Sequence, residues 1–501
     1  MPTTTTTPPT TYLTVAIPYV NADPHLGYAF ELVEADIAAR ACRARGGRVR
    51  FLGGTDDHSL KNVLAATAAG VSTHELVTAN ADRFAALAGP LAISFDDFIR
   101  TSADPRHRPA VERLWRACAA AGDLYEADYA GRYCVGCEEF RAPADLVDGR
   151  CPEHGTAPED VVERNWFFRL ARHAETLVDL VTSGRLAITP AVYRDEVLAF
   201  LRRGLADISV SRSVHRARGW GIPVPDDDEQ VVYVWFDALA NYISALGFGS
   251  ADRSAYDEWW TGADRRVHVV GKGILRFHAV YWPAFLLSAG EPLPTEIHVH
   301  PYLTVGGAKL SKSAGATVDP LDVVARYGTD RLRWWLVRDT AAVADTDFTP
   351  DRLASRADQD LAHGVGNVVN RVASLVHRCC DGTVPRDDGE PVDEATALPA
   401  VVAGLLATFE RRTATTSILD AVAALNRDIA TARPWELTAT DPAALGGLLA
   451  RYVRSARLIA DALAPIVPAL SAALLAQLTA GPDGRLPPAR PVVERLAATS
   501  A

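Results

Sequence analysis

The sequence predicts an α/β protein in which a parallel-sheet region is followed by an all-α bundle. Three observations predict it. Residues 12–17 read as a short apolar strand, residues 25–45 as a helix and residues 49–52 as a second strand, and strand–helix–strand is the sequence form of a βαβ unit. Polar segments fall just past both strands, at the carboxyl ends where open α/β sheets bind ligands. From about residue 351 to residue 478 the chain is Ala- and Leu-rich without a strand pattern, which is the signature of a separate helix bundle.

Taken in order, residues 1–11 are rich in Thr and Pro and lack a basic stretch with an apolar core, so they are expected to be a disordered tail and not a secretory signal. Pro18 ends the first strand, Asn21-Ala-Asp-Pro24 forms a loop, and Gly46-Gly47 stop the first helix. Between residues 129 and 155 the periodicity weakens and a Cys/His cluster appears. Residues 160–205 are mixed, with helical pieces. Residues 231–236 and 266–270 read as buried strands that return the chain to the first sheet after an insertion. Residues 303–316 read as a loop with glycines and lysines, and the Pro-rich tail after Gly481 is expected to be poorly ordered.

Composition narrows the function classes. The 501 residues are 48% hydrophobic with a formal net charge of −11. That fits a folded protein and argues against a DNA-binding domain, which is ordinarily basic, so any nucleic-acid contact has to use local patches. Seven cysteines without a secretory signal point to a reducing, cytoplasmic setting. Residues 458–478 are the best membrane candidate. Asp461, Pro465 and Pro468 interrupt them, leaving too short an apolar run to cross a bilayer, so a buried bundle helix is expected.

Several constellations carry chemistry. Pro24-His25-Leu26-Gly27-Tyr28 puts a His and a Gly at a helix start, where backbone N–H groups and the helix dipole favour phosphate. Lys309-Leu-Ser-Lys312-Ser313 follows Gly306-Gly307. Two lysines on such a loop can grip a polyphosphate and stabilise a departing pyrophosphate. Cys134-x2-Cys137, thirteen residues, then Cys151-x2-His154 matches a structural zinc knuckle with four tetrahedral donors. Asp56, at a strand end, can bind an amino group. The aromatic run Tyr233, Trp235, Phe236, Tyr242, Phe277, His278, Tyr281 and Trp282 could be core or could line an apolar pocket. Asn367, Arg371 and Trp435 are side chains suited to stacking on, and hydrogen-bonding to, unpaired RNA bases. Each of these segments alone has an ordinary structural reading as a cap, loop, core or surface residue.

Their joint order resembles one family. Ala16-Ile-Pro-Tyr19, His25-Leu-Gly27, Gly54-Thr-Asp-Asp-His58, the Cys knuckle, Trp166-Phe-Phe-Arg169, Ser211-Arg212, Trp220-Gly-Ile-Pro223, Val234-Trp-Phe-Asp-Ala238, Gly271-Lys272, the lysine loop and Arg433-Pro-Trp435 are similar to the methionyl-tRNA synthetases, over about residues 12–480. The resemblance implies a Rossmann-type class I synthetase catalytic domain with a zinc-knuckle connective insertion, followed by an all-α anticodon-binding bundle. The implied boundaries are 1–11 tail, 12–116 first catalytic half, 117–230 insertion, 231–295 second catalytic half, 296–355 stem-contact region, 356–480 anticodon domain and 481–501 tail. It implies ATP with Mg2+ and methionine as substrates, initiator and elongator tRNA(Met) as partners, and structural Zn2+ on Cys134, Cys137, Cys151 and His154. His25, Gly27, Lys309 and Lys312 would meet ATP. Asp56 would take the α-amino group, and Arg212 would assist activation. Ile17, Tyr19, Trp235, Tyr242, Ile274 and His278 would line the methionine pocket, and Asn367, Arg371 and Trp435 would read the CAU anticodon.

Some positions depart from the family pattern. Tyr28 replaces a His, Ser59 a Gly, Gly273 an Asp and Ala316 an Asn, and His300-Pro301 stands for His-Gly. These departures leave open a divergent paralogue that activates another amino acid, with or without tRNA.

Overall fold

The computed structural model describes residues 9–496 except 135, 137–138, 142–144, 153–154, 310–317 and 386–389. It divides into two compact units. One comprises Met1–Pro24, Arg48–Leu87 and Phe95–Tyr302, and the other His25–Gly47, Ala88–Ser94 and Leu303–Ala501.

Among its described residues the first unit holds thirteen strands: β1 Thr10–Val15, β2 Arg48–Thr55, β3 Asp97–Arg100, β4 Leu124–Cys134, β5 Glu139–Arg141, β6 Glu159–Phe168, β7 Ala187–Thr189, β8 Ile208–Ser209, β9 Ser211–Ser213, β10 Pro223–Val224, β11 Asp227–Val232, β12 Arg265–Gly271 and β13 Glu296–His300. Six form one sheet in the order β3-β2-β1-β12-β13-β7, and every pair in it is parallel. β1, with the sequence TTYLTV, is almost wholly buried, as expected of a β-branched and aromatic central strand. Strand order runs outward from β1 through β2 to β3 on one side and from β12 through β13 on the other. The β1/β12 crevice is therefore the topological switch point, where such sheets bind ligands beyond the carboxyl ends.

Gly54 near the end of β2 has a packing reason. A Cβ there would lie 2.4 Å from the Ile99 carbonyl oxygen of β3 and 3.0 Å from Ile17 Cγ2. Only glycine lets these backbones close up beside the site.

Two strand expectations need correction. Residues 231–236 are not one strand: β11 ends at Val232 and a helix, Val234–Leu239, begins. β11 also pairs antiparallel with β9 and β10 in a separate sheet, so of the two expected returning strands β12 alone joins the main sheet. A continuous apolar run has no period to separate strand from helix. Within the span expected as insertion, β7 joins the edge of the main sheet beside β13, while β4, β5, β6 and β8 form a sheet of their own.

The second unit is mainly helical. It includes α1, Leu26–Ala44, and the helices Thr329–Arg338, Asn367–Cys380, Arg411–Ala432, Pro442–Ala462 and Pro468–Gln477. The expected glycine loop contains a small hairpin, β14 Leu303–Val305 with β15 Ala308–Lys309, turned at Gly306 and Gly307, and β16 Thr346–Asp347 lies beside β14. Two buried ion pairs tie α1 to later helices: Arg333 Nη2 lies 2.7 Å from Asp36 and Arg411 Nε 2.7 Å from Glu34. The Pro-rich tail, expected to be poorly ordered, is hydrogen-bonded as far as residue 496. Leu486 N donates to the Gly382 carbonyl at 2.8 Å, Arg331 to the Glu494 carbonyl at 2.7 Å, and Leu496 N to Asp358 at 3.1 Å. Its backbone groups find partners on the bundle, which composition alone does not reveal. Among the described residues no helix is long and apolar enough to cross a membrane.

Candidate active site at the strand ends

The carboxyl ends of β1, β2 and β12 deliver most of the expected site residues within the first unit. Ile17 and Tyr19 follow β1. Asp56 follows β2 and is bridged to Tyr19 in parallel register, with its N–H donating to the Pro18 carbonyl at 2.9 Å. The two neighbouring carboxylates divide their roles. Asp57 accepts from the Thr55 hydroxyl (2.9 Å) and the Ser102 hydroxyl (2.6 Å), so it braces the loop. Asp56 is 2% exposed and accepts from His58 N at 3.2 Å.

The expected pocket aromatics form one cluster. Trp235 lies face to face on Phe277, with centroids 3.7 Å apart, and meets Tyr19 and His278 edge-on at 6.4 and 6.3 Å. His278 bridges two fixed partners. Its Nδ1 is 2.9 Å from the Ile274 carbonyl and its Nε2 2.7 Å from the Tyr242 hydroxyl. A carbonyl can only accept, so Nδ1 carries the proton and Nε2 accepts from Tyr242. Burial pushes the imidazole down to about 4, the Ile274 bond only partly opposing it, so the ring is neutral near pH 7. The rings of the cluster are thus uncharged, with the Asp56 carboxylate bridged to Tyr19 on one side and the Lys61 ammonium 5.0 Å from the Tyr19 ring centroid.

A buried triad supports it that the sequence analysis did not assign. Asp237 accepts from His58 Nδ1 at 2.7 Å and pairs with His107 Nε2 at 2.5 Å, and His107 Nδ1 meets the Ser244 hydroxyl at 2.8 Å. Burial alone would raise the Asp237 carboxyl. The two imidazoles outweigh it and hold the group well below the usual carboxylate range. Burial likewise opposes charge on His58, but Asp237 prevails and raises its pKa. Asp237 lay within a quoted motif. His107 gave no signal, being 130 residues from its partner.

Arg212 on β9 is buried. Its guanidinium sits 4.3 Å from the Tyr233 ring centroid and donates to the Ser211 carbonyl at 2.7 Å. With His58, Trp220 and Tyr233 it lines one small cleft. Trp220 Nε1 donates to the Asp57 carbonyl at 2.7 Å. Ser59, where the family pattern has Gly, caps the helix Leu60–Ala69 by accepting from Lys61 N at 3.1 Å.

In the second unit, His25 is the N-cap of α1 and its Nδ1 accepts from Tyr28 N at 3.3 Å. Gly27 lies against that ring, and Tyr28 is buried. Lys309 ends β15, whereas Lys312 and Ala316 lie outside the described residues. Asn367 and Arg371 stand one turn apart on one helix, Arg371 donating to Asn426 at 3.2 Å, and Trp435 is 40% exposed. Of the metal candidates, Cys134 and Cys151 are buried, and Cys137 and His154 lie outside the described residues.

Comparison with known proteins agrees with this geometry. The family described as tRNA synthetases class I (M) matches residues 11–161 and 142–373. The chain is 39% identical over 486 residues to the methionine–tRNA ligase of Brucella melitensis, covering 95% of this chain and 92% of that protein. It is 42% identical over 399 residues to the Mycobacterium bovis enzyme of the same name, covering 79% and 75%. Its fold matches the structure of Mycobacterium tuberculosis methionyl-tRNA synthetase in complex with methionyl-adenylate at a TM-score of 0.88 and 36% identity, covering 97% of this chain and 99% of that one. With a parallel sheet, a switch-point crevice and relatives that cover nearly its whole length, the chain belongs to the methionyl branch of the class I tRNA synthetases.

Proposed function

We propose that the protein activates methionine with ATP and esterifies it to tRNA(Met). The observation that carries this reading is the neutral aromatic pocket of Tyr19, Trp235, Tyr242 and His278 beside the Asp56 carboxylate at the switch point. A thioether side chain suits an uncharged, polarisable pocket, since sulfur–aromatic contacts are favourable. Asp56 is the counter-charge for the α-amino group. A methionine carboxylate oxygen attacks the α-phosphorus of ATP, the bond to pyrophosphate breaks, and methionyl-adenylate forms. The terminal ribose hydroxyl of tRNA then attacks the acyl carbon, and AMP leaves. Rate comes from positioning and charge stabilisation, with no covalent enzyme intermediate.

In this reading Ile17 and Ile274 complete the methionine pocket, Arg212 assists activation, and His25, Gly27, Lys309 and Lys312 hold the ATP phosphates, with Mg2+ as the usual companion of ATP. Asn367, Arg371 and Trp435 read the CAU anticodon. The exposed indole of Trp435 is what stacking on an unpaired base requires. The catalytic halves, insertion, stem-contact region and anticodon domain keep the boundaries given above, with β7 as an excursion of the insertion into the main sheet. Cytoplasmic location follows from the same role.

Zinc fits the donor set. Cys134, the last residue of β4, and Cys151, just past the Val147–Arg150 bridge, are buried thiols, and with Cys137 and His154 they would hold Zn2+ structurally, contributing folding energy. Metal analysis of purified protein checks this: about one zinc per chain is expected, and Cys134→Ser with Cys151→Ser should lose it and lower Tm.

ATP–pyrophosphate exchange across the twenty amino acids tests the main reading. Methionine should drive it, and the loaded enzyme should charge tRNA bearing CAU. Exchange driven faster by another amino acid overturns the reading.

A further inference from the structure

Gly273 and Tyr302 meet at the other side of the switch point from Asp56. Gly273 lies in the short turn Lys272–Ile274 directly beyond β12, and Tyr302 lies two residues beyond the neighbouring strand β13. A Cβ on residue 273 would fall 1.9 Å from the Tyr302 hydroxyl oxygen and 3.2 Å from its Cζ. The phenol therefore occupies the space that any side chain at 273 would take. The Lys272 ammonium lies 4.7 Å from the centroid of the same ring, close enough for a cation–π contact. A half-buried tyrosine with an ammonium over its ring thus stands at the carboxyl ends of β12 and β13.

We infer that Tyr302 is a nucleotide-binding residue of this enzyme, its hydroxyl taking over the polar function that an acidic side chain at 273 would otherwise supply. The inference rests on the proposed adenylate-forming activity. A ligand lying across the switch point has one end near β1 and β2, where Asp56 takes the amino group, and the other near β12 and β13. On this assignment the ribose of the nucleotide lies on the second side, beside Tyr302. A neutral phenol there can both donate to and accept from a ribose hydroxyl. Gly273 is then glycine because the hydroxyl needs its place. On this assignment the departure at 273 makes room for the Tyr302 hydroxyl and is no sign of a lost site.

Pyrophosphate exchange with Tyr302→Phe, Gly273→Ala and the double variant tests this, with Tm as a control. The clashing atom is the far end of a side chain and not backbone, so Gly273→Ala should keep the fold and displace the hydroxyl. Each single variant should raise KM for ATP roughly 3- to 10-fold, the worth of one hydrogen bond, leaving KM for methionine and Tm unchanged. The double variant should be no worse than either single, because both remove the same contact. A Tyr302→Phe enzyme with unchanged KM for ATP, an effect on kcat alone, a parallel rise in KM for methionine, or single effects that multiply would each overturn the assignment. A wild-type enzyme that fails to exchange with methionine would instead sink the underlying activity.

Discussion

His278 shows how one residue sets the chemistry of a pocket. Its two nitrogens are committed, one to a carbonyl and one to the Tyr242 hydroxyl, and burial holds its pKa at about 4. A histidine depressed in the folded state stabilises fully above its unfolded value near 6.5 and loses that contribution as pH falls towards 4. In the folded protein the ring stays neutral until pH approaches about 4, so methionine affinity should be flat from pH 8 down to about pH 5 and weaken only as the ring protonates below that, which binding titrations from pH 8 to about pH 4 would measure. Affinity that climbs as the ring protonates would contradict a neutral pocket. Asp237 works one layer behind. Asp237→Asn leaves His58 and His107 without their shared counter-charge and should cost about 3 kcal/mol or more in denaturant unfolding. A variant as stable as wild type would show the triad to be incidental. The clustering of Tyr19, Trp235 and His278 near strand ends was legible because motif and topology coincide there. The triad was not, since its geometry depends on side chains brought together only by the fold.

At the scale of elements, the sequence was readable where period or punctuation was strong. β1, α1 and β2 could be placed from an apolar run, a Pro stop and a Gly-Gly stop. The run at 231–236 could not. Its apolar residues serve first as the end of β11 and then as a helix that puts Phe236 against Trp115, centroids 5.4 Å apart, and Trp235 on Phe277. Close approach was equally hidden. The sequence marks Gly54 only as the first residue of the Gly54-Thr-Asp-Asp-His58 motif, past a strand ending at residue 52, yet it lies within β2 and the Ile99 carbonyl leaves no room for a Cβ. Because that atom is backbone and cannot swing aside, Gly54→Ala should pry β2 from β3 and destabilise by roughly 1–3 kcal/mol. It should also raise KM for methionine, as Ile17 and Asp56 flank the strained point. Unfolding and exchange assays on one preparation would check both. Loss of stability with an unaltered KM would separate packing from site geometry.

At the scale of the whole chain, folding units do not follow sequence order. The second unit takes α1 from the start of the chain and joins it to residues 303–501. Fifteen of the nineteen α1 residues are buried, including Glu34 and Asp36. Burial would raise the Asp36 carboxyl, but Arg333 and Arg40 outweigh it and keep it ionised. Arg333 is wholly buried and also donates to the Ile466 and Leu91 carbonyls at 2.7 and 2.9 Å. A carboxylate buried without its partner is among the costlier defects in a protein interior. A catalytic fragment ending at Tyr302 would strand exactly those groups, although the sequence reads as if its sheet region could be cut away from the helical bundle. We therefore expect residues 1–302 alone to aggregate or to unfold without cooperativity, while the full chain with Arg333→Met, which removes the charge but fills the space, still folds with lower stability. Thermal unfolding of both preparations decides the matter. A fragment with a sharp transition would mean that residues 1–302 fold without the buried pairs of α1.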